Sequence, residues 1–84
     1  MKLTAEMSLY PLQEDFHPVI QGFIDTLLAN SDLNIVSNAM STQVSGDYDR
    51  VFAAVSDTLA ASTRQFGKQV LVVKLIPWEL ELQS

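Results

Sequence analysis

Short hydroxyl and amide side chains are concentrated in one stretch of the chain, SNAMSTQVSGDYD, between Ser37 and Asp49. They are Ser37, Asn38, Ser41, Thr42 and Ser45. A hydroxyl both donates and accepts hydrogen bonds and takes little space, so such a group can orient a flat heterocycle in a mostly apolar cleft. Hydroxyls near hairpins also bond to the local backbone, and from the residue types alone this structural role is the commoner one.

Other kinds of chemistry lack the residues that they need. The chain has no cysteine, and His17 is its only histidine, which we expect to be solvated. A thiolate or histidine metal site and a Ser-His-Asp triad are therefore not expected. Nothing places a second acid beside Glu6 for acid–base work, and the first arginine, Arg50, comes too late for an acylphosphatase-like loop. We expect a protein that is not an enzyme and holds no metal or cofactor.

Composition narrows the class of partner. The 84 residues carry ten acidic and five basic side chains, for a net charge of −5, which argues against nucleic acid as a partner. No apolar run reaches the length of a membrane span, so no membrane contact and a cytoplasmic location are the default expectations. The chain, residues 1–84, is long enough for one domain. Because so short a chain buries only about 60–65% of its unfolded surface, we expect subunit association or a dense core to support it.

The first half of the sequence predicts a strand and a helix. Residues 3–10 alternate between apolar and polar side chains, which is typical of a strand with one buried face, and Pro11 suits its end. Asp15 is the predicted helix N-cap, with Pro18 in the first turn. The helix then has an apolar stripe at three- and four-residue spacing, which we expect in the core: Phe16, Val19, Ile20, Phe23, Ile24, Leu27 and Leu28.

The second half predicts a hairpin, a helix and a final strand. LNIVSN and STQVS read as two short strands, with Ala39 and Met40 at the bend. Asp47 is the predicted cap of a helix that ends at Gly67. The predicted apolar stripe of this helix is Val51, Phe52, Val55, Leu59 and Phe66. KQVLVVKLIPW is a strongly apolar strand that stops at Pro77, and the tail 79–84 either extends along an edge or frays.

This order of elements predicts an α+β, ferredoxin-like βαββαβ sandwich, with two helices on one face of a four-stranded antiparallel sheet. In that arrangement the third strand lies beside the first, and we expect the two to run parallel. Ser8 and Tyr10 would then lie close to Ser41 and Thr42.

The sheet face without helices needs its own explanation. In the last strand Leu71, Val73 and Leu75 are expected to face the core. Val70, Val72, Lys74 and Ile76 are expected on the open face, beside Thr4, Glu6, Ser8 and Tyr10 of the first strand, with Lys74 reaching Glu6. Exposed aliphatic side chains favour an interface, so we expect a homodimer or a dimer of dimers through Val70, Val72 and Ile76. Trp78 is expected to contact another subunit or cover the sheet edge.

EMSLYPL, followed by a helix and then by NAMSTQVSGDYDRVFAAV, resembles the thiamin/hydroxymethylpyrimidine-binding (YkoF-like) family of ferredoxin-like domains. The resemblance covers roughly residues 4–76, and its most specific part is MSTQ followed by Gly46 and Asp47. It implies a non-enzymatic binder of thiamin or its pyrimidine, associated with vitamin uptake or salvage. Some members carry two repeats in one chain, so the resemblance implies that subunit association supplies the second here.

The same resemblance implies where the ligand binds. The pyrimidine is expected near Ser41 and Thr42, with Met40 as an apolar contact. Ser8 and Tyr10 are expected beside it from the predicted topology. The cationic thiazolium would be met by Glu6, Asp47 or the Tyr10 ring, although Asp47 is more simply a helix cap. The alternative is an oligomeric regulatory or interaction module of the same fold with a different small-molecule ligand. The loop PLQEDFHP has no glycine, unlike the corresponding loop of amino-acid-sensing domains.

Overall fold

The computed structural model describes residues 1–82 and has the predicted order of elements. They are β1 (Lys2–Pro11), α1 (His17–Leu28), β2 (Asn34–Ser37), β3 (Thr42–Asp47), α2 (Tyr48–Phe66) and β4 (Gln69–Ile76). The four strands form one sheet in the order β2-β3-β1-β4, and every pair is antiparallel. The ferredoxin-like fold is therefore confirmed. No helix within residues 1–82 is long and apolar enough to cross a membrane.

The predicted parallel pairing of β1 with β3 is wrong, because these strands pair antiparallel from Lys2↔Asp47 to Met7↔Thr42. α1 returns the chain so that β2 runs in the direction of β1, and the β2–β3 hairpin then reverses that direction. The end of β1 consequently lies beside the start of β3. The residues after Met7 therefore still lie beside those before Thr42, which keeps Ser8 and Tyr10 close to the β2–β3 connection.

β1 has the burial pattern that its alternation predicts. Leu3, Ala5 and Met7 are buried in the core, and Leu9 packs against it at the end of the strand. Along the ladder, β1 pairs with β4, and the pairing Glu6↔Lys74 confirms the predicted neighbour.

α1 begins one residue later than predicted. Phe16 rather than Asp15 occupies the N-cap position, and no side chain caps the helix. Pro18 lies in the first turn, where its fixed φ and missing N–H are tolerated. Phe16 is consequently exposed at the helix entrance, and Leu28 at the other end of the predicted stripe is also exposed, contrary to their predicted places in the core. Phe23 is buried as predicted.

α2 begins after Asp47 and ends at Gly67, as predicted, although the Asp47 side chain makes no capping hydrogen bond. Gly67 has a φ of +94° that suits glycine. Of the predicted stripe, Val51 is buried and Val55 and Leu59 pack against the core. Ala54, Thr58 and Ser62 are also buried, although they were not part of that stripe. Small residues at this spacing let the helix approach the sheet and α1 closely. Phe52 is displaced to the surface, where its ring packs against Tyr48 at a centroid distance of 5.1 Å.

β4 is an edge strand, and its helix-facing side is only partly covered. Leu71 and Val73 pack against the core as predicted, but Leu75 is 48% exposed, so its predicted burial is wrong. The helices pack mainly against each other and over β1, β2 and β3, which leaves the end of β4 beyond their reach.

The segment after β4 folds back onto the open face of the sheet at Thr4. The Thr4 hydroxyl lies 2.8 Å from the Trp78 carbonyl oxygen and accepts a hydrogen bond from the Leu80 N–H at 3.1 Å. It also lies 3.1 Å from Ser45 Oγ. These contacts bury Thr4 to 2% exposure on a face that has no helices. The tail is thus docked as far as Leu80, and the last two residues of the predicted tail and domain, 83–84, lie outside the described part.

Candidate functional site

The ladder between β1 and β3 ends before β1 does. Its last pair is Met7↔Thr42, whereas the β1–β4 ladder continues to Pro11↔Gln69. Residues 8–10 of β1 therefore face the β2–β3 connection, residues 38–41, across a gap. We call this gap the β1 notch, and it contains most of the residues that the sequence predicted for ligand binding.

One wall of the notch is a tight turn built by Asn38. The Asn38 side-chain oxygen accepts hydrogen bonds from the N–H groups of Met40, at 2.9 Å, and Ser41, at 3.2 Å. Its own N–H donates to the Ser41 carbonyl at 3.0 Å. Below the turn, the hydroxyls of Ser37 and Thr42 are hydrogen bonded at 3.0 Å. Part of the polar stretch therefore has the structural role that its residue types favour.

The sheet divides the predicted hydroxyl cluster between its two faces. Directly paired residues share a face, so Thr42 lies with Met7 on the helix side, and Ser41, Ser8 and Glu6 lie on the open side. The single cluster expected from the sequence is thus two groups of hydroxyls, one on each side of the notch.

The inner cleft lies on the helix side of the notch and has a volume of about 210 Å³. Ile20, Phe23 and Ile24 of α1 supply an apolar floor, and Ser37 and Thr42 lie on its polar side. Thr42 is only 7% exposed, and its hydroxyl is hydrogen bonded to Ser37.

The outer cleft lies on the open face of the sheet and has a volume of about 270 Å³. It is lined by Glu6, Ser8, Tyr10, Met40, Ser41, Val72 and Lys74. Ser8, Tyr10, Met40 and Ser41 also border the inner cleft. The two clefts are therefore two openings of the same notch.

A chain of polar contacts fixes the base of the outer cleft. Gln43 Nε2 donates to Ser41 Oγ at 3.0 Å, and Ser41 Oγ donates to Glu6 Oε2 at 3.0 Å. Lys74 Nζ lies 3.8 Å from Glu6 Oε1, which confirms the predicted cross-strand contact. This network holds the Ser41 hydroxyl in place and leaves a carboxylate at the wall of the cleft.

Asp47 lies at the other end of the sheet. It lies five residue steps along β3 from Thr42, which is about 17 Å at the usual rise. Its carboxylate accepts a hydrogen bond from Lys2 Nζ at 2.9 Å, and this bond lowers the pKa of Asp47 and raises that of Lys2. The structure therefore does not bring Asp47 to the notch, and Glu6 is the acidic residue that lines the outer cleft.

The sequence did not predict several of the residues that line the notch. Ile20 and Ile24 belong to the predicted α1 stripe, but their spacing gave no sign that they line a cleft beyond the core. Ser37 pairs with Thr42 across the hairpin, and Gln43 donates to Ser41 two residues away. Residue types alone do not specify either contact. Lys74 was expected as the partner of Glu6 and also lines the outer cleft.

The family model of the YKOF-related family matches residues 2–75, nearly the whole chain. The chain therefore belongs to the YKOF-related family, as the MSTQ and Gly-Asp motif indicated. No curated protein matches the chain significantly.

Solved structures show the same fold at low sequence identity. A Thermotoga maritima protein, whose name describes a proposed role in thiamine biosynthesis or salvage, is 18% identical and has a TM-score of 0.78. The alignment covers 96% of this chain and 85% of the Thermotoga chain. A Streptococcus pneumoniae protein is 20% identical with a TM-score of 0.83, and the alignment covers 95% of this chain and 90% of that protein. A hypothetical protein of Methanocaldococcus jannascii is 22% identical with a TM-score of 0.78, and the alignment covers 99% of this chain and 87% of that protein.

Proposed function

We propose that this protein is a non-catalytic binder of thiamin, hydroxymethylpyrimidine or a related heterocycle, and that the β1 notch is its binding site. The observation that carries the proposal is the notch itself, in which hydroxyls lie above the apolar floor of Ile20, Phe23 and Ile24. Membership of the YKOF-related family and the name of the Thermotoga maritima neighbour support a thiamin-related role.

The size and polarity of the two clefts suit the two rings of thiamin. Each cleft is smaller than the roughly 300–1,000 Å³ of pockets for drug-sized ligands, so each suits a single ring. We assign the pyrimidine to the inner cleft, where Thr42 and Ser37 offer hydrogen bonds. The cationic thiazolium then lies in the outer cleft, near the Glu6 carboxylate and the face of Tyr10.

Calorimetric titration of the whole chain with thiamin, and separately with hydroxymethylpyrimidine, tests this function. We expect saturable binding near one ligand per chain, and recovery of the ligand chemically unchanged after long incubation. No heat at millimolar ligand together with an unshifted melting temperature would contradict the proposal and favour an oligomeric module with another ligand. Conversion of the ligand would contradict the non-catalytic part alone.

Two substitutions test the placement of the ligand. Ser41→Ala and Thr42→Ala should each remove a hydrogen bond to the ligand, worth about 0.5–1.5 kcal/mol, so affinity should fall about two- to tenfold. Ser56→Ala is the matched control, because Ser56 is an exposed serine of α2 that does not line either cleft. Affinities equal to that of the control in both variants would refute the site while leaving the ligand established.

We also propose that the open sheet face associates with a second copy, as a dimer or a dimer of dimers. Val70 and Val72 are 47% and 50% exposed on this face, beside Ile76. Val70→Lys should shift the mass measured by light scattering towards the monomer. Leu28→Lys is the control, because Leu28 is 50% exposed but lies on α1, in the helical layer. A monomeric wild type at micromolar concentration would refute this association.

A further inference from the structure

The main-chain groups of Leu9 face the β1 notch, and the hydrogen bonds at the two ends of β1 show this. In an antiparallel ladder the N–H and C=O of one residue point to the same neighbouring strand, and alternate residues point to opposite neighbours. The Leu12 N–H donates to the Lys68 carbonyl, on the β4 side. The Met1 carbonyl accepts from the Tyr48 N–H, on the β3 side. The odd-numbered residues of β1 therefore point their main-chain groups towards β3.

Leu9 is the first of these residues to lie beyond the ladder. Met7 pairs with Thr42, and continued pairing would place Met40 opposite Leu9. The Met40 N–H is instead held by the Asn38 side chain, which turns the loop away. Within residues 1–82, the backbone hydrogen bonds give Leu9 no partner on this side. Its N–H and C=O therefore point into the notch, which Leu9 lines.

We propose that the main chain of Leu9 reads the edge of the bound ring, an inference that rests on the proposed function. On an extended residue the N–H and C=O lie side by side, so they offer one donor next to one acceptor. An aminopyrimidine presents the complementary pair, a ring nitrogen that accepts and an adjacent amino group that donates. The ligand class that this edge selects is thus a heteroaromatic ring with an amino group beside a ring nitrogen.

Two features make Leu9 suitable for setting the orientation of the ring. Its side chain packs against the core, so its backbone is held in place, unlike a hydroxyl that rotates about its own bond. A bound ring would also shield these main-chain groups from water, so a ligand that pairs with both groups is preferred to one that leaves one of them without a partner.

Nuclear magnetic resonance of the ¹⁵N-labelled whole chain tests the proposal, with hydroxymethylpyrimidine as the probe. The Leu9 amide should exchange rapidly with solvent in the free protein, then shift downfield and exchange at least about tenfold more slowly with ligand bound. The Met7 amide is the internal control, because its pairing with Thr42 should protect it in both states. A Leu9 amide that is already protected without ligand, or unchanged on saturation, would overturn the proposal.

A second probe tests the carbonyl of Leu9. In 5-hydroxymethyl-2,4-dimethylpyrimidine a methyl group replaces the amino group at nearly the same size, so the carbonyl would lose its donor. We expect affinity to fall by about tenfold or more, because a buried acceptor is left unpaired. Equal affinity for the two pyrimidines would refute recognition of the ring by the Leu9 carbonyl but leave the proposed function unaffected. Failure of both thiamin and hydroxymethylpyrimidine to bind would instead refute the proposed function.

Discussion

Replacing Thr4 by valine removes the hydroxyl that holds the C-terminal segment onto the sheet. Thr4 is almost fully buried, and its hydroxyl oxygen contacts the Trp78 carbonyl, the Leu80 N–H and Ser45 Oγ. A hydroxyl has one proton and two lone pairs, so it can donate to Trp78 and accept from both Leu80 and Ser45. Valine has nearly the same shape, so the packing is kept while all three hydrogen bonds are lost.

The three bonds set the size of the effect. Each contributes about 0.5–1.5 kcal/mol net, but Trp78 and Leu80 are largely exposed and their main-chain groups can turn to water if the segment detaches. We therefore expect Thr4→Val to lower the free energy of unfolding by about 1–3 kcal/mol. Urea denaturation followed by circular dichroism measures this change, and hydrogen exchange of the Leu80 amide reports the detachment directly.

Two variants serve as controls for this prediction. Thr4→Ser keeps the hydroxyl and should retain the slow exchange of the Leu80 amide, whereas Ser45→Ala removes one of the three partners and should have a smaller effect. If Thr4→Val unfolds within about 0.5 kcal/mol of the wild type and Leu80 exchange is unchanged, the hydroxyl does not anchor the tail.

Three further predictions concern the core, a close contact and the response to acid. Leu27→Ala should lower the free energy of unfolding by about 2–5 kcal/mol, because Leu27 is fully buried; a smaller loss in urea denaturation would contradict its place in the core. Gly46→Ala should cost about 1–3 kcal/mol, because the added Cβ would lie 2.6 Å from a Leu33 methyl carbon that must then move; an unchanged urea midpoint would contradict this contact. The bond from Lys2 lowers the pKa of Asp47 below its ordinary 3.8, so the stability from this pair is present above about pH 4 and lost as pH falls through the folded-state pKa. Asp47→Asn should therefore flatten the decline of the melting temperature in acid, and an identical decline in both proteins would refute this.

How much of the fold can be predicted from the sequence depends on whether a structural feature is set by neighbouring residues or by distant contacts. The alternation of β1 and the glycine at the end of α2 predict their structures correctly, because period and positive φ are properties of a few neighbouring residues. Burial at the margins is different. Leu75 continues the apolar alternation of β4 yet is half exposed, because the helices cover the centre of the sheet more than its edge.

The same division applies to the candidate site. Residue types and a family motif sufficed to name Ser8, Tyr10, Met40, Ser41 and Thr42, and the structure places all of them around the notch. The sequence could not separate Thr42 from Ser41, because only the register of β3 puts neighbouring residues on opposite faces.

The placements of Asp47 and Leu9 required the tertiary structure. The presence of Asp47 in the motif does not show that β3 places its carboxylate at the end of the sheet far from Thr42. Every residue has the same main-chain groups, so the sequence gives no sign that those of Leu9 matter. They face the notch only because the Asn38 turn ends the β1–β3 ladder there. The sequence by itself determined the order of elements and the residue types of the site. The tertiary structure decided which atoms share the notch, since register and ladder length depend on contacts between residues far apart in the chain.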